Sequence, residues 1–195
     1  MKHHAPARSR GGGELTLDLL ETRQLPEARA LLRLLASMAD APVPHELLLD
    51  PAILADSSLF AGITGPRLWQ ALQALAGFGL IDLTGSTDNA VAMTRLHPLA
   101  RDTSRPRPDA RPQQHTGYLE LAARLLDRAA RTEEIGLPED PAKLPMCQVL
   151  VPHAEYVFEA LTSGADWPDS AGGARAAAQA AGWPVRDLRE EAAGL

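Results

Sequence analysis

Six histidines, one cysteine and a few paired acids are the side chains of this sequence that could carry catalysis or hold a ligand. The histidines (His3, His4, His45, His97, His115 and His153) include no His-x-x-x-His pair with a nearby carboxylate, so the spacing of a helical metal site is missing. Cys147 is the only cysteine, which rules out an intrachain disulfide and a cysteine-based zinc centre. It lies in an apolar stretch without an adjacent base and reads as a small buried hydrophobe rather than an activated thiol. The clusters Glu133-Glu134 and Glu139-Asp140 fall in a polar loop and read as solvated charge. A phosphate loop would need Gly-x-x-x-x-Gly-Lys-Ser/Thr. Gly11-Gly12-Gly13 instead runs into Glu14, and neither Lys2 nor Lys143 follows a glycine-rich turn. No Gly-x-Ser-x-Gly elbow occurs. These absences argue against an enzyme, a bound cofactor and a metal centre.

The residues worth following are His97 and Arg101, and the elements around them give a recognisable outline. Over 67–102 the sequence reads as a helix at 68–76, a stop at Gly77-Phe78-Gly79, a strand at 80–83, a polar turn at 85–89 and a second strand at 91–96. His97-Pro98-Leu99-Ala100-Arg101-Asp102 then returns into helix. Helix, hairpin and helix is the outline of a winged-helix unit. Thr64 is the expected N-cap of the first of these helices, with Pro66 just inside it. Leu68, Trp69, Leu72, Leu75 and Ala76 form its apolar stripe, Trp69 included as core. Gln70, Gln73 and Ala74 are its outward face. One helical turn separates His97 from Arg101, so both are expected on one face, with Arg101 paired to Asp82 or Asp102.

Upstream, residues 1–24 read as a flexible N-terminus with a helical tendency at 14–21. A helix follows at 26–39, where Ala28, Leu31, Leu32, Leu35, Met38 and Ala39 recur at helical spacing and Arg29 and Arg33 face solvent. Pro42 and Pro44 end it. Short helices at 45–49 and 51–55 come next, with His45 read as a surface residue or local cap. Leu59 and Phe60 anchor the loop beyond.

Downstream, residues 105–112 form a proline- and arginine-rich linker, so the winged-helix-like domain is assigned to 25–104. Residues 113–163 read as a helical hairpin. Its first helix, 113–131, places Tyr118, Leu121, Ala122, Leu125, Leu126 and Ala129 on one face. Its second, 145–161, carries Val149, Leu150, Val157, Phe158 and Leu161, with a kink expected at Pro152. A weakly ordered tail is expected over 164–195. The fold class is therefore mainly α: a winged-helix-like domain with a small β-hairpin, followed by an antiparallel, repeat-like helical pair.

The order of these segments resembles the winged-helix region of bacterial NB-ARC (STAND-type) signalling ATPases. The resemblance rests on 28–40, on Leu47-Leu48-Leu49-Asp50-Pro51-Ala52-Ile53-Leu54, on Gly65-Pro66-Arg67-Leu68-Trp69-Gln70-Ala71-Leu72, and on Leu80-Ile81-Asp82-Leu83 with Leu96-His97-Pro98-Leu99-Ala100-Arg101-Asp102. The helical pair, with Pro152-His153-Ala154, resembles the segment that leads into the tetratricopeptide repeats of those proteins. The resemblance implies that His97 is the histidine that faces the β-phosphate of bound ADP. It implies equally that a partner must supply the nucleotide, because the ATPase domain and the further repeats have no counterpart in this chain. A non-catalytic regulatory module with a protein partner, such as a nucleotide-binding domain, is the function so implied.

The alternative is a winged-helix DNA-binding transcriptional regulator. DNA recognition needs arginine or lysine on the presented helix and the wing. The helix offers Arg67 alone, the turn carries Asp88, and Arg101, Arg105, Arg107 and Arg111 are offset by Asp102 and Asp109. The net charge of −6 adds no bulk attraction to nucleic acid or anionic lipid. No run of about 18 apolar residues could span a bilayer, and a cytoplasmic chain is the simplest expectation.

Overall fold

The computed structural model describes residues 26–85, 91–105, 112–132 and 144–163. Among them are seven helices and two strands: α1 (Pro26–Ala36), α2 (His45–Leu48), α3 (Pro51–Ala55), α4 (Gly65–Gly77), β1 (Ile81–Thr84), β2 (Met93–Leu96), α5 (Pro98–Ser104), α6 (Pro112–Ala130) and α7 (Leu144–Ser163). The expected mainly helical architecture with a small hairpin is present. The expectations for 14–21, for most of the turn at 85–89, for Arg107 and Arg111, for the acidic loop near 133–140 and for the tail all lie outside the described residues. So does the side chain of Cys147.

Helix α1 is buried over most of its circumference, through Ala28, Leu31, Leu32, Leu34, Leu35 and Ala36. It ends three residues before the expected 39. Ser37 folds its hydroxyl back onto Arg33 O at 2.9 Å, and Met38 N closes a tighter turn onto Leu35 O at 3.2 Å. A serine that bonds the previous turn competes with the helical ladder and favours a stop. Arg29 and Arg33, expected on a solvated face, are half-buried, because α1 is covered on several sides.

Asp50 does more than break the chain. Its carboxylate accepts from Ala52 N at 2.8 Å and Ile53 N at 3.4 Å, with Pro51 at the first helical position, so it caps α3. Thr64 does not act similarly: it sits at the N-cap of α4 with extended backbone, but its side chain makes no capping bond. The C-terminus of α4 is closed by the paired bonds Leu80 N to Leu75 O (3.0 Å) and Gly79 N to Ala76 O (2.8 Å). Gly79 takes the positive φ of 65° that this closure needs. That turn delivers the chain into β1.

The hairpin pairs Ile81 with Leu96, Asp82 with Arg95, Leu83 with Thr94 and Thr84 with Met93. Ile81, Thr94 and Leu96 are buried while Asp82 and Arg95 are exposed, so opposite charges face each other on the solvent side. Val43 adds a third, one-residue strand on the free edge of β2: its N–H and carbonyl bond Thr94 O and Thr94 N, each at 2.8 Å.

Every position expected on the buried face of α6 is buried, and Leu119 and Ala123 join them. The wider stripe is needed because α6 packs on α7 and also on α1, α2 and α3. The helical pair therefore shares the core of the winged unit, and Leu150, Val157 and Leu161 of α7 belong to the same cluster as Leu31 and Leu72.

Arg101 joins α5 to the loop after α1. Its Nη1 donates to the buried Met38 carbonyl at 2.8 Å, and its Nε lies 3.3 Å from Asp40 Oδ1. Neither Asp82 nor Asp102, the expected partners, forms this pair. The Asp40 side chain is 71 % exposed against 6 % for Arg101, so solvent screens the ionic part and the carbonyl bond carries most of the effect. Arg101→Ala is expected to cost about 2–3 kcal/mol in urea unfolding, since it orphans a buried carbonyl. Asp40→Asn is expected to cost less than about 1 kcal/mol.

Candidate functional site

His97 sits where β2 becomes α5. Its backbone is extended (φ −63°, ψ 135°), and it occupies the N-cap, with Pro98 opening the helix. Main-chain bonds fix it on both sides: His97 N to Leu80 O at 3.0 Å, and Arg101 N to His97 O at 3.0 Å. The imidazole itself makes no capping bond and is exposed, as are Pro98 and Leu99. Leu99 is 70 % exposed, the most open large apolar side chain among the described residues.

The expectation that His97 and Arg101 share a face fails. A cap residue with extended backbone lies outside the helical screw, so the i, i+4 rule does not place its side chain. Arg101 turns inward with Ala100 and Ser104, while His97 turns outward. The corner thus has a firmly anchored inner side and a free outer side carrying an imidazole and an isobutyl group.

The outward face of α4 is the second surface to weigh. Gln70 and Gln73 are exposed, as expected. Trp69 is not core: it is 48 % exposed, because it lies at the margin of the stripe formed by Leu68, Ala71, Leu72 and Leu75. Its ring stacks on His45 at a centroid distance of 6.2 Å and an interplanar angle of 25°. Arg67, the basic residue expected on the presented helix, is bound to Glu27 of α1 at 3.2 Å. Arg105 lies over the Tyr156 ring at 5.1 Å, a cation–π contact that ties the end of α5 to α7. Of the four arginines expected as a basic stripe, two are described: Arg101 is buried, and Arg105 is exposed but lies on the Tyr156 ring.

Two further histidines are anchored inside the fold. His45, read as a surface residue, is buried and its Nδ1 lies 2.9 Å from Thr94 Oγ1. Burial pushes it below its ordinary value, with Glu46 opposing in part. His153 is fully buried, and its Nε2 donates to Pro42 O at 3.0 Å. Burial again pushes it down, the carbonyl bond opposes, and the Arg101 charge adds to the lowering. The signal for His153 was present: it lies three residues after Leu150 and four before Val157, on the apolar stripe of α7. A histidine on such a stripe must find a hydrogen-bond partner indoors.

Among the described residues no three His, Cys, Asp or Glu side chains gather as a metal site, and no helix is long and apolar enough to cross a membrane. Thr94→Val removes the partner of the buried His45 ring at nearly constant volume. Urea unfolding should show a loss of about 1–3 kcal/mol, with a changed Trp69 indole environment in NMR spectra. No family model, curated protein or solved structure matches the chain, so the reading of this site rests on its own geometry.

Proposed function

We propose that the chain is a non-catalytic regulatory module that docks onto a protein partner, derived from the NB-ARC and tetratricopeptide-repeat signalling proteins that its sequence resembles. The observation that carries this reading is the exposed His97-Pro98-Leu99 corner, set on a helix whose other face is locked by Arg101. An outward imidazole on fixed backbone can donate to a phosphate oxygen that another domain holds. Leu99 supplies apolar area that burial against a partner would stabilise. In this arrangement the nucleotide belongs to the partner, a nucleotide-binding domain, and His97 completes the contact to it.

DNA binding is less well supported. Arg67 is tied to Glu27, Arg95 stands opposite Asp82, and Arg101 is buried. The presented helix is left with glutamines and Trp69, which give little phosphate attraction.

Calorimetry of the chain with ADP alone should give no binding heat, because one imidazole does not make a nucleotide site. The chain should capture a nucleotide-binding ATPase from extracts of its own cells, and Leu99→Asp should reduce that capture roughly tenfold or more, as expected for losing one buried leucine contact. ADP binding by the isolated chain would overturn the reading. So would retention of generic duplex DNA that collapses steeply with added salt.

A further inference from the structure

Segment 38–43 between α1 and α2 is held from two directions by buried side chains. Arg101 of α5 takes Met38 O, and His153 of α7 takes Pro42 O across 111 residues of sequence. A carbonyl can only accept, so the His153 ring must carry its proton on Nε2. That leaves Nδ1 as the atom which would take a second proton. Nδ1 is buried and has no hydrogen-bond partner among the described residues. A proton there would be an unsatisfied buried donor on a cation, facing a second buried cation.

We propose that the contact between His153 and Pro42 is an acid-released latch: protonation of the ring detaches α7 from the 38–43 segment, while the winged unit stays folded. The charged and titratable groups on the surrounding elements include Asp40 in the segment, Arg101 and Asp102 on α5 with Arg105 just after it, His115, Tyr118, Glu120, Arg124, Asp127 and Arg128 on α6, and Glu155, Tyr156 and Glu159 on α7 itself. Of these, Arg101 is the one whose charge acts on the ring, and it opposes protonation. No carboxylate among the described residues offsets it, since Asp40 is spent on Arg101 at the exposed rim. Only the His153 side of the segment can titrate near neutrality; Arg101 keeps its charge and its hold on Met38.

The sign follows from the direction of the shift. The folded ring lies below the ordinary 6.5, so the released state binds the proton more readily. Docking is complete above about pH 6.5 and weakens as pH falls below it, by at most roughly tenfold per pH unit for one coupled proton. Opening would uncover Leu150, Val157 and Leu161 together with the matching face of α6. The latch is independent of any role for His97.

Hydrogen exchange on the full chain tests this, with rates corrected for intrinsic pH dependence. Amides of 149–161 should exchange faster at pH 5.5 than at pH 7.5, by up to about tenfold, while those of α1 and α4 keep their protection. His153→Gln preserves a donor toward Pro42 but cannot titrate, and should abolish the difference. His45→Asn, which keeps a side-chain amide near Thr94, should leave it intact. Equal exchange of 149–161 at the two pH values would overturn the latch, as would a pH difference that survives His153→Gln or vanishes with His45→Asn. Should the glutamine variant not fold, the ring NMR signals of wild-type His153 decide. Titration together with α7 opening supports the latch, and titration with 149–161 still protected refutes it.

Discussion

The segment from Met38 to Val43 links α1 to α2 outside regular structure, running from buried Met38 past exposed Asp40 and Pro42 to buried Val43, and main-chain groups that leave the helical and sheet ladders must still be satisfied. That requirement fixes how the rest of the molecule is arranged. Met38 O receives the Arg101 guanidinium and Pro42 O the His153 ring. Val43 exchanges both its main-chain bonds with Thr94. Two residues further on, His45 meets the hydroxyl of the same Thr94. Two side chains, from α5 and α7, thus converge on one short stretch, and the main chain of β2 pairs with its last residue. Each comes from an element whose apolar face would pack in several registers if area burial alone decided, because that force has no direction. The polar contacts supply the direction.

This division of labour explains why the fold class was legible in the sequence and the anchors were not. Periodicity reports which face of a helix is apolar, and every position it assigned to the inner face of α6 is buried, although Leu119 and Ala123 lie outside its stripe. The Pro51 boundary follows from proline chemistry and the glycines after α4 locate its end, whereas Pro112, assigned to the linker, opens α6 instead. Periodicity carries no information about a polar partner distant along the chain. The Arg101–Met38 contact spans 63 residues and the His153–Pro42 contact 111. A guanidinium next to Asp102 suggests a local ion pair until the tertiary fold brings a carbonyl to it. His45 was misread for the same reason: its role depends on Thr94, 49 residues away. Trp69 failed differently. Its helical spacing beside Leu68 and Leu72 points to the core, whereas its angular position at the margin of the stripe leaves one face open for the His45 ring.

The His97 corner shows the converse case, in which the local reading placed a residue well and misjudged its neighbour. The extended backbone of a cap decouples His97 from the helical screw that governs Arg101. One side chain can then face outward while the other anchors the helix inward. The main chain of Arg101 holds the corner as well, through its N–H bond to His97 O, and that bond does not depend on the guanidinium. The His97 main chain is held on both sides, and a backbone fixed in this way favours recognition because little of its freedom is lost on contact.

The two buried histidines stand in different electrostatic settings, although burial lowers both. Glu46 partly offsets the lowering at His45, and its hydroxyl partner can accept or donate as the ring demands. A proton on that ring therefore keeps a hydrogen bond. His153 faces a carbonyl that fixes its tautomer and a guanidinium that repels any added charge. The unequal tolerance of protonation thus reflects the partners together with the deeper burial of His153. The chain places its tolerant histidine inside the winged unit and its intolerant one on α7. The contact that acid strains most is therefore the one joining the last described helix to the loop after α1.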